Sequence, residues 1–262
     1  MHISFIEMKG KKRMKELIKS NLKYLIFLAV FGIIGGYFTA LYSIQMLTDE
    51  MIEDVLAQVG SIDVLIIITT IQSISYALIL GIIGKILARK IGLWHEVTFS
   101  KKGNIELALV TLVGGAAFIL LDLLIFGEFS EVIKDSYAIK PTFEYIIASV
   151  TYGAVIEEVM LRLFFMSLIA FIIQRIAKKE EMNNTILVIA NIIAALLFAA
   201  AHIPATATSI GITPMILIRC FVMNGAFGLI FGRLYRKYGI HYAMLAHGGV
   251  HIISKLIWIV FI

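Results

Sequence analysis

The chain has 262 residues, 60% of them hydrophobic and 16% charged, with a formal net charge of +5 and a mean hydropathy of +0.94. A soluble domain of this length cannot hide so much apolar surface, so the composition excludes an ordinary water-soluble globule. The basic residues sit in short segments between apolar runs, which fits membrane orientation and attraction to anionic headgroups and excludes nucleic acid as the reason for the charge. One cysteine, Cys220, rules out an internal disulfide.

The segment before the first apolar run is basic, with Lys9, Lys11, Lys12, Arg13, Lys15 and Lys19, and is expected to hold the amino terminus on the cytoplasmic side. The first span is expected over 22–42; it is long and lacks a small-residue cleavage site, so it reads as an uncleaved span rather than a signal peptide. An acidic stretch with Asp49, Glu50, Glu53 and Asp54 reads as a short surface helix. Spans follow over 62–87 and 105–126, with basic residues between them and a mixed loop after them. A long apolar run covers 143–173, then Arg175, Lys178 and Lys179. The remaining spans are expected over 186–201, 215–231 and 240–262, with an uncharged loop before Pro214. Apolar runs of this length cross a bilayer as helices and lack the alternation of barrel strands. The expected fold is therefore all-α: a polytopic integral membrane helical bundle of roughly seven to eight transmembrane helices, eight if the long fourth run breaks.

Within the fourth run stand Glu157, Glu158 and Arg162. An ionisable group near the bilayer centre costs several kcal/mol by insertion scales, so it needs a partner or a hydrated cavity. Glu158 and Arg162 are four apart and share a helical face, which suits a salt bridge. Glu157 is rotated about 100° away and is not spent on that bridge. Imidazoles join them. His202 follows Phe198-Ala199-Ala200-Ala201 at the end of the fifth span, His241 opens the last span, and His247 and His251 lie within it on one face. In the sixth span, Arg219 and Asn224 read as structural hydrogen-bonding groups, and Gly225, Gly228 and Gly232 as close-packing positions. Two chemistries fit. Glu157 and a histidine activate water while other imidazoles stabilise an oxyanion. Alternatively, His247 and His251 bind zinc with His202 or a glutamate, although no His-Glu-x-x-His motif is present.

The ordered set Glu157-Glu158-x-x-x-Arg162, Phe198-x-x-x-His202, Gly232-Arg233-Leu234-Tyr235 and His247 resembles the CAAX protease and bacteriocin-processing family of intramembrane endopeptidases, including the Ras-converting type II CAAX prenyl proteases. The resemblance implies helices around a central cavity open to water and lipid, with a core over 141–262 preceded by the basic segment 1–21 and three spans over 22–140. It implies that Glu157 and His202 activate the attacking water, that His247 helps stabilise the oxyanion, and that Glu158 and Arg162 support Glu157. Four residues beyond His247 the protease branch typically has asparagine; His251 here keeps a donor for the oxyanion and adds a candidate metal ligand. The implied substrate is a membrane-associated protein or peptide, prenylated or not, and no cofactor is favoured, with zinc as the alternative. The rival readings are a zinc metalloprotease of the same fold, a non-catalytic membrane scaffold or immunity protein, and a transporter using Glu157 for proton coupling. Straight-helix counting places His247 ~10–15 Å shallower than Glu157 and His202.

Overall fold

The computed structural model describes the backbone of residues 2–262 and the side chains of residues 21–262. The basic side chains expected to orient the amino terminus, Lys9 to Lys19, lie outside the described side chains. In chain order the helices are α1 (His2–Gln45), α2 (Asp49–Val59), α3 (Ile62–Lys90), α4 (Lys101–Phe129), α5 (Glu131–Ser136), α6 (143–176), α7 (Asn184–Ala201), α8 (Ile203–Ile210), α9 (Pro214–Tyr238) and α10 (Ile240–Phe261). No strand occurs among the described residues.

Local sequence explains where these helices begin and end. Thr48, Ser61, Ser100, Thr142, Asn183 and Thr213 precede α2, α3, α4, α6, α7 and α9, and each side chain accepts from the backbone N–H three residues on. This satisfies a donor that the helix cannot satisfy internally. Gly60, Gly211 and Gly239 end α2, α8 and α9 with positive φ, a conformation open to a residue without Cβ.

Six helices are long and apolar enough to cross a membrane: Asn21–Gln45 within α1, α3, α4, the α7–α8 unit, α9 and α10. The protein is an integral, multi-pass membrane protein with six such candidate spans among the described residues, and the expected count of seven to eight is not confirmed by them. The expected fourth span, α6, is not among the six. It is one unbroken helix from 143 to 176, so the break that would have made an eighth piece does not occur. Its winding widens to the π form over Ser149–Glu157 and Val159–Met166. A second correction concerns the stretch before Pro214. It is not loop but α8, started by Pro204 in its first turn, where a missing N–H costs nothing.

Apolar side chains such as Ile67, Leu112 and Val222 face outward. In lipid this exposure carries no penalty, and helices gain nothing by merely hiding apolar surface from one another. Close fit decides the packing instead. A Cβ on Gly36 would lie 2.7 Å from Thr70 Cα, so α1 reaches the backbone of α3. A Cβ on Gly84 would lie 2.8 Å from the Leu163 carbonyl oxygen, which sets α3 against α6. Gly228 and Gly232 likewise seat α9 against Ala195 and Asn191 of α7, as expected. Gly225 has nothing within 4 Å, so its expected packing role is not borne out. The result places α6 in the middle, contacted by α1, α3, α7, α9 and α10. Its residues Ile156, Val159, Leu163 and Met166 are fully buried.

Candidate active site

The π-wound middle of α6 carries Glu157, Glu158 and Arg162. Such widening is rare and concentrates at functional sites, because it re-aims side chains that an α-helix would hold at fixed intervals. Glu158 and Arg162 are 0% and 1% exposed. Arg162 Nη1 lies 3.1 Å from Glu158 Oε1, as the spacing predicts. The guanidinium also lies over the ring of Phe198 at 4.2 Å and near that of Phe231 at 5.6 Å. Two aromatic faces and one carboxylate thus compensate a cation removed from water. Glu157 is half-buried and makes no hydrogen bond or ion pair among the described residues. This separates one carboxylate that is spent from one that is free.

Opposite α6, α10 presents His247, His251 and Lys255 at four-residue intervals on one face. His247 Nδ1 lies 2.9 Å from Glu158 Oε1. His247 Nε2 lies 3.2 Å from His251 Nε2, and Lys255 Nζ lies 3.3 Å from His251 Nδ1. The His247 ring stacks on Phe231 at 4.6 Å. Gly153 on α6 faces the two Nε2 atoms: a Cβ there would lie 3.6 Å from that of His251 and 3.8 Å from that of His247.

The offset of His247 from the glutamates that straight-helix counting gives is absent, since His247 bonds directly to Glu158. Residue counting treated the start of α10 as the membrane boundary. In fact Gly239 (φ +106°) turns the chain straight from α9 into α10 with no intervening loop. The segment between α3 and α4 covers that end. His241 Nε2 donates to the Thr98 carbonyl at 2.9 Å, and the Tyr242 hydroxyl donates to Asn104 Oδ1 at 2.8 Å. His241 is a fastening of that cover and not part of the Glu158 cluster.

His202 caps the end of α7. The last turn tightens, with the His202 N–H on the Ala199 carbonyl at 3.1 Å. This frees the Phe198 carbonyl, which the His202 ring takes through Nδ1 at 2.8 Å. A carbonyl oxygen only accepts, so Nδ1 carries the proton and Nε2 keeps a lone pair. The Phe198 ring lies 4.6 Å from the His202 ring and 5.9 Å from that of His247, between the two imidazoles and under Arg162. The role of phenylalanine in Phe198-x-x-x-His202 is thus steric and electrostatic at once.

Two charged groups escaped the sequence reading. Lys255 carried a legible signal, a lysine inside an apolar run one helical turn past His251. Asp122 did too, as an acid in the third span. Asp122 is 0% exposed and takes part in a separate buried cluster. Arg219 Nε donates to Asp122 Oδ1 at 2.6 Å, a second guanidinium nitrogen reaches Oδ2, and the Tyr137 hydroxyl donates to Oδ2 at 2.6 Å. Burial, then the carboxylate beside it, hold the Tyr137 phenol above its ordinary range. Arg219 and Asn224, whose side chain donates to the Cys220 carbonyl at 3.0 Å, fill the structural roles expected of them.

Buried Glu158, Arg162 and His247, with partly buried Glu157, His202 and His251, come from three helices of this multi-pass helical membrane protein. Residues 140–253 match the family described as type II CAAX prenyl endopeptidase Rce1-like, so this segment is similar to that family. No curated protein and no solved structure matches the chain. The matched segment contains Glu157, Glu158, Arg162, Phe198, His202, His247 and His251, and it ends before Lys255.

Proposed function

We propose that the protein is an intramembrane endopeptidase of the CAAX-processing type, acting on a membrane-associated protein or peptide. The observation that carries the reading is the division of labour between adjacent carboxylates: Glu158 is held by Arg162 and His247, while Glu157 is unpaired. Glu157, with the free Nε2 of His202, takes a proton from water as the oxygen attacks the scissile carbonyl carbon. The carbonyl oxygen becomes an oxyanion, stabilised from the His247 and His251 side. Collapse of the tetrahedral intermediate breaks the C–N bond. The proton held by Glu157 and His202 goes to the leaving nitrogen and the acid's remaining proton follows it, so the products are a carboxylate and an ammonium. Glu158 and Arg162 hold the helix in register and keep His247 oriented.

We read the site as metal-free. The separation of 3.2 Å between the His247 and His251 Nε2 atoms is close to the ~3.3 Å expected of two nitrogens on one tetrahedral zinc. The donor chemistry opposes it. A neutral imidazole has one lone pair, and His251 offers it at Nδ1 to the Lys255 ammonium. Its Nε2 then carries hydrogen and cannot ligate.

The test is cleavage of a farnesylated CAAX peptide by reconstituted protein in ¹⁸O-labelled water. One ¹⁸O atom is expected in the new carboxylate, and activity is expected to survive chelator with well below one zinc per chain. A matching peptide without the prenyl group shows whether the lipid is required. Failure to cut either peptide would point to the scaffold or transporter readings, and stoichiometric zinc with chelator-reversible activity would establish the metalloprotease.

A further inference from the structure

Lys255 belongs to none of the motifs above and lies beyond the matched segment. It is 4% exposed, and its ammonium sits 4.0 Å above the ring of Tyr145 on α6. No carboxylate pairs with it among the described residues. A buried, unpaired lysine is expensive, and an aromatic face offsets only part of that cost. Its other contact is the His251 Nδ1 atom.

Hydrogen-bond direction gives this contact a consequence. In its ammonium form Lys255 has donors and no lone pair, and His251 Nδ1 then accepts. The proton of neutral His251 then resides on Nε2. At the shared contact with His247, one Nε2 must donate and the other accept, because two donors or two lone pairs repel. His251 donates, and His247 accepts. The His247 proton then resides on Nδ1, where it meets the Glu158 carboxylate, itself an acceptor held by Arg162. Each link permits the next: Lys255 to His251, His251 to His247, His247 to Glu158. The opposite direction would set a donor on His251 Nδ1 against the ammonium.

We propose that Lys255 is a positioning residue that fixes His251 as the Nε2–H tautomer and His247 as the Nδ1–H tautomer, making His251 Nε2–H the oxyanion donor. The inference rests on the peptidase reading for its role in turnover and on hydrogen-bond direction for the tautomers. It refines the family resemblance, which has His247 help stabilise the oxyanion and leaves His251 a donor for it. With its one proton on Glu158, His247 has no donor left for substrate. His251 Nε2–H, held only by a long 3.2 Å contact, can turn to the new oxyanion. It also explains how histidine stands where the protease branch has asparagine: an amide always presents a donor, whereas an imidazole presents one at Nε2 only when its tautomer is set.

The experiment combines histidine ¹⁵N NMR of the full-length protein in lipid nanodiscs with kinetics on a farnesylated CAAX peptide. Wild type should show His251 protonated at Nε2 and His247 at Nδ1. In Lys255→Met, His251 should lose its single-tautomer signature and kcat should fall about 10-fold or more, less than the ~10²–10³ for deleting an oxyanion donor outright, with KM little changed. Lys255→Arg keeps a donor cation and should keep the wild-type tautomers. The deciding comparison uses His251→Asn, whose amide needs no tautomer: there, adding Lys255→Met should leave kcat unchanged. A merely structural lysine, serving only to pack on Tyr145, would lower kcat equally in both backgrounds, and that result overturns the proposal. So does a wild-type spectrum with His251 protonated at Nδ1, which requires no variant to fold. Wild-type protein with the stated tautomers but no turnover would sink the peptidase reading instead.

Discussion

Replacing Arg162 with methionine probes the core of the site quantitatively. The change keeps an unbranched chain and removes a guanidinium that is 1% exposed. Its partner Glu158, at 0% exposure, then retains only the His247 Nδ1–H at 2.9 Å. Stranding one member of a buried pair costs ~3–5 kcal/mol. Losing the cation over the Phe198 ring at 4.2 Å adds ~1–2 kcal/mol. Together these lower the folded-to-unfolded ratio by ~10³–10⁵, a large part of the stability of an ordinary domain. Adding Glu158→Gln to the same chain removes the stranded charge, while the amide oxygen still accepts from His247. The double variant should therefore be more stable than Arg162→Met alone by at least ~2 kcal/mol. Denaturant titration of the purified proteins in one detergent, reading fraction folded, gives all four corners of the cycle. A double variant less stable than Arg162→Met would refute the reasoning, since it would mean that no uncompensated charge was left behind.

Three other outcomes follow from particular contacts. Gly153→Ala should fold normally, because its Cβ makes ordinary contacts of 3.6 and 3.8 Å, whereas Gly153→Leu should fill the space before the two Nε2 atoms and cut kcat/KM ~10²-fold or more. Asp122→Asn should destabilise the fold by ~3–5 kcal/mol in the same denaturant assay, through the stranded Arg219 guanidinium, while the folded fraction keeps wild-type turnover. For topology, the charge alternation puts Lys178 inside and Asp54 outside. An impermeant maleimide should label a cysteine at 54 in intact cells and one at 178 only after permeabilisation, and the reverse pattern would invert the orientation.

The helices were legible because their signals are local. Apolar length located the six candidate spans, and the first turns carry side-chain caps at Thr48, Ser61, Ser100, Asn183 and Thr213. The pairing of Glu158 with Arg162 was legible for the same reason, since four residues is one helical turn. What stayed hidden depends on contacts between distant segments. Asp122 and Arg219 are 97 residues apart, and neither predicts the other. The depth of His247 could not be counted, because it depends on residues 91–100 folding over the start of α10. The α8 helix was read as an uncharged loop before Pro214, although Pro204 in its first turn favours helix initiation. Lys255 was visible but unread: a lysine near the end of a last span passes easily for an interfacial anchor.

The central claim is that Glu157 is the catalytic carboxylate and Glu158 the structural one. The most direct test is single-turnover cleavage of a farnesylated CAAX peptide by reconstituted Glu157→Gln, alongside its unfolding midpoint. Glu157 has no partner to lose, so the midpoint should match wild type while the rate falls ~10²–10⁴-fold, as for removal of a general base. Wild-type turnover in a fully folded Glu157→Gln protein would contradict the account.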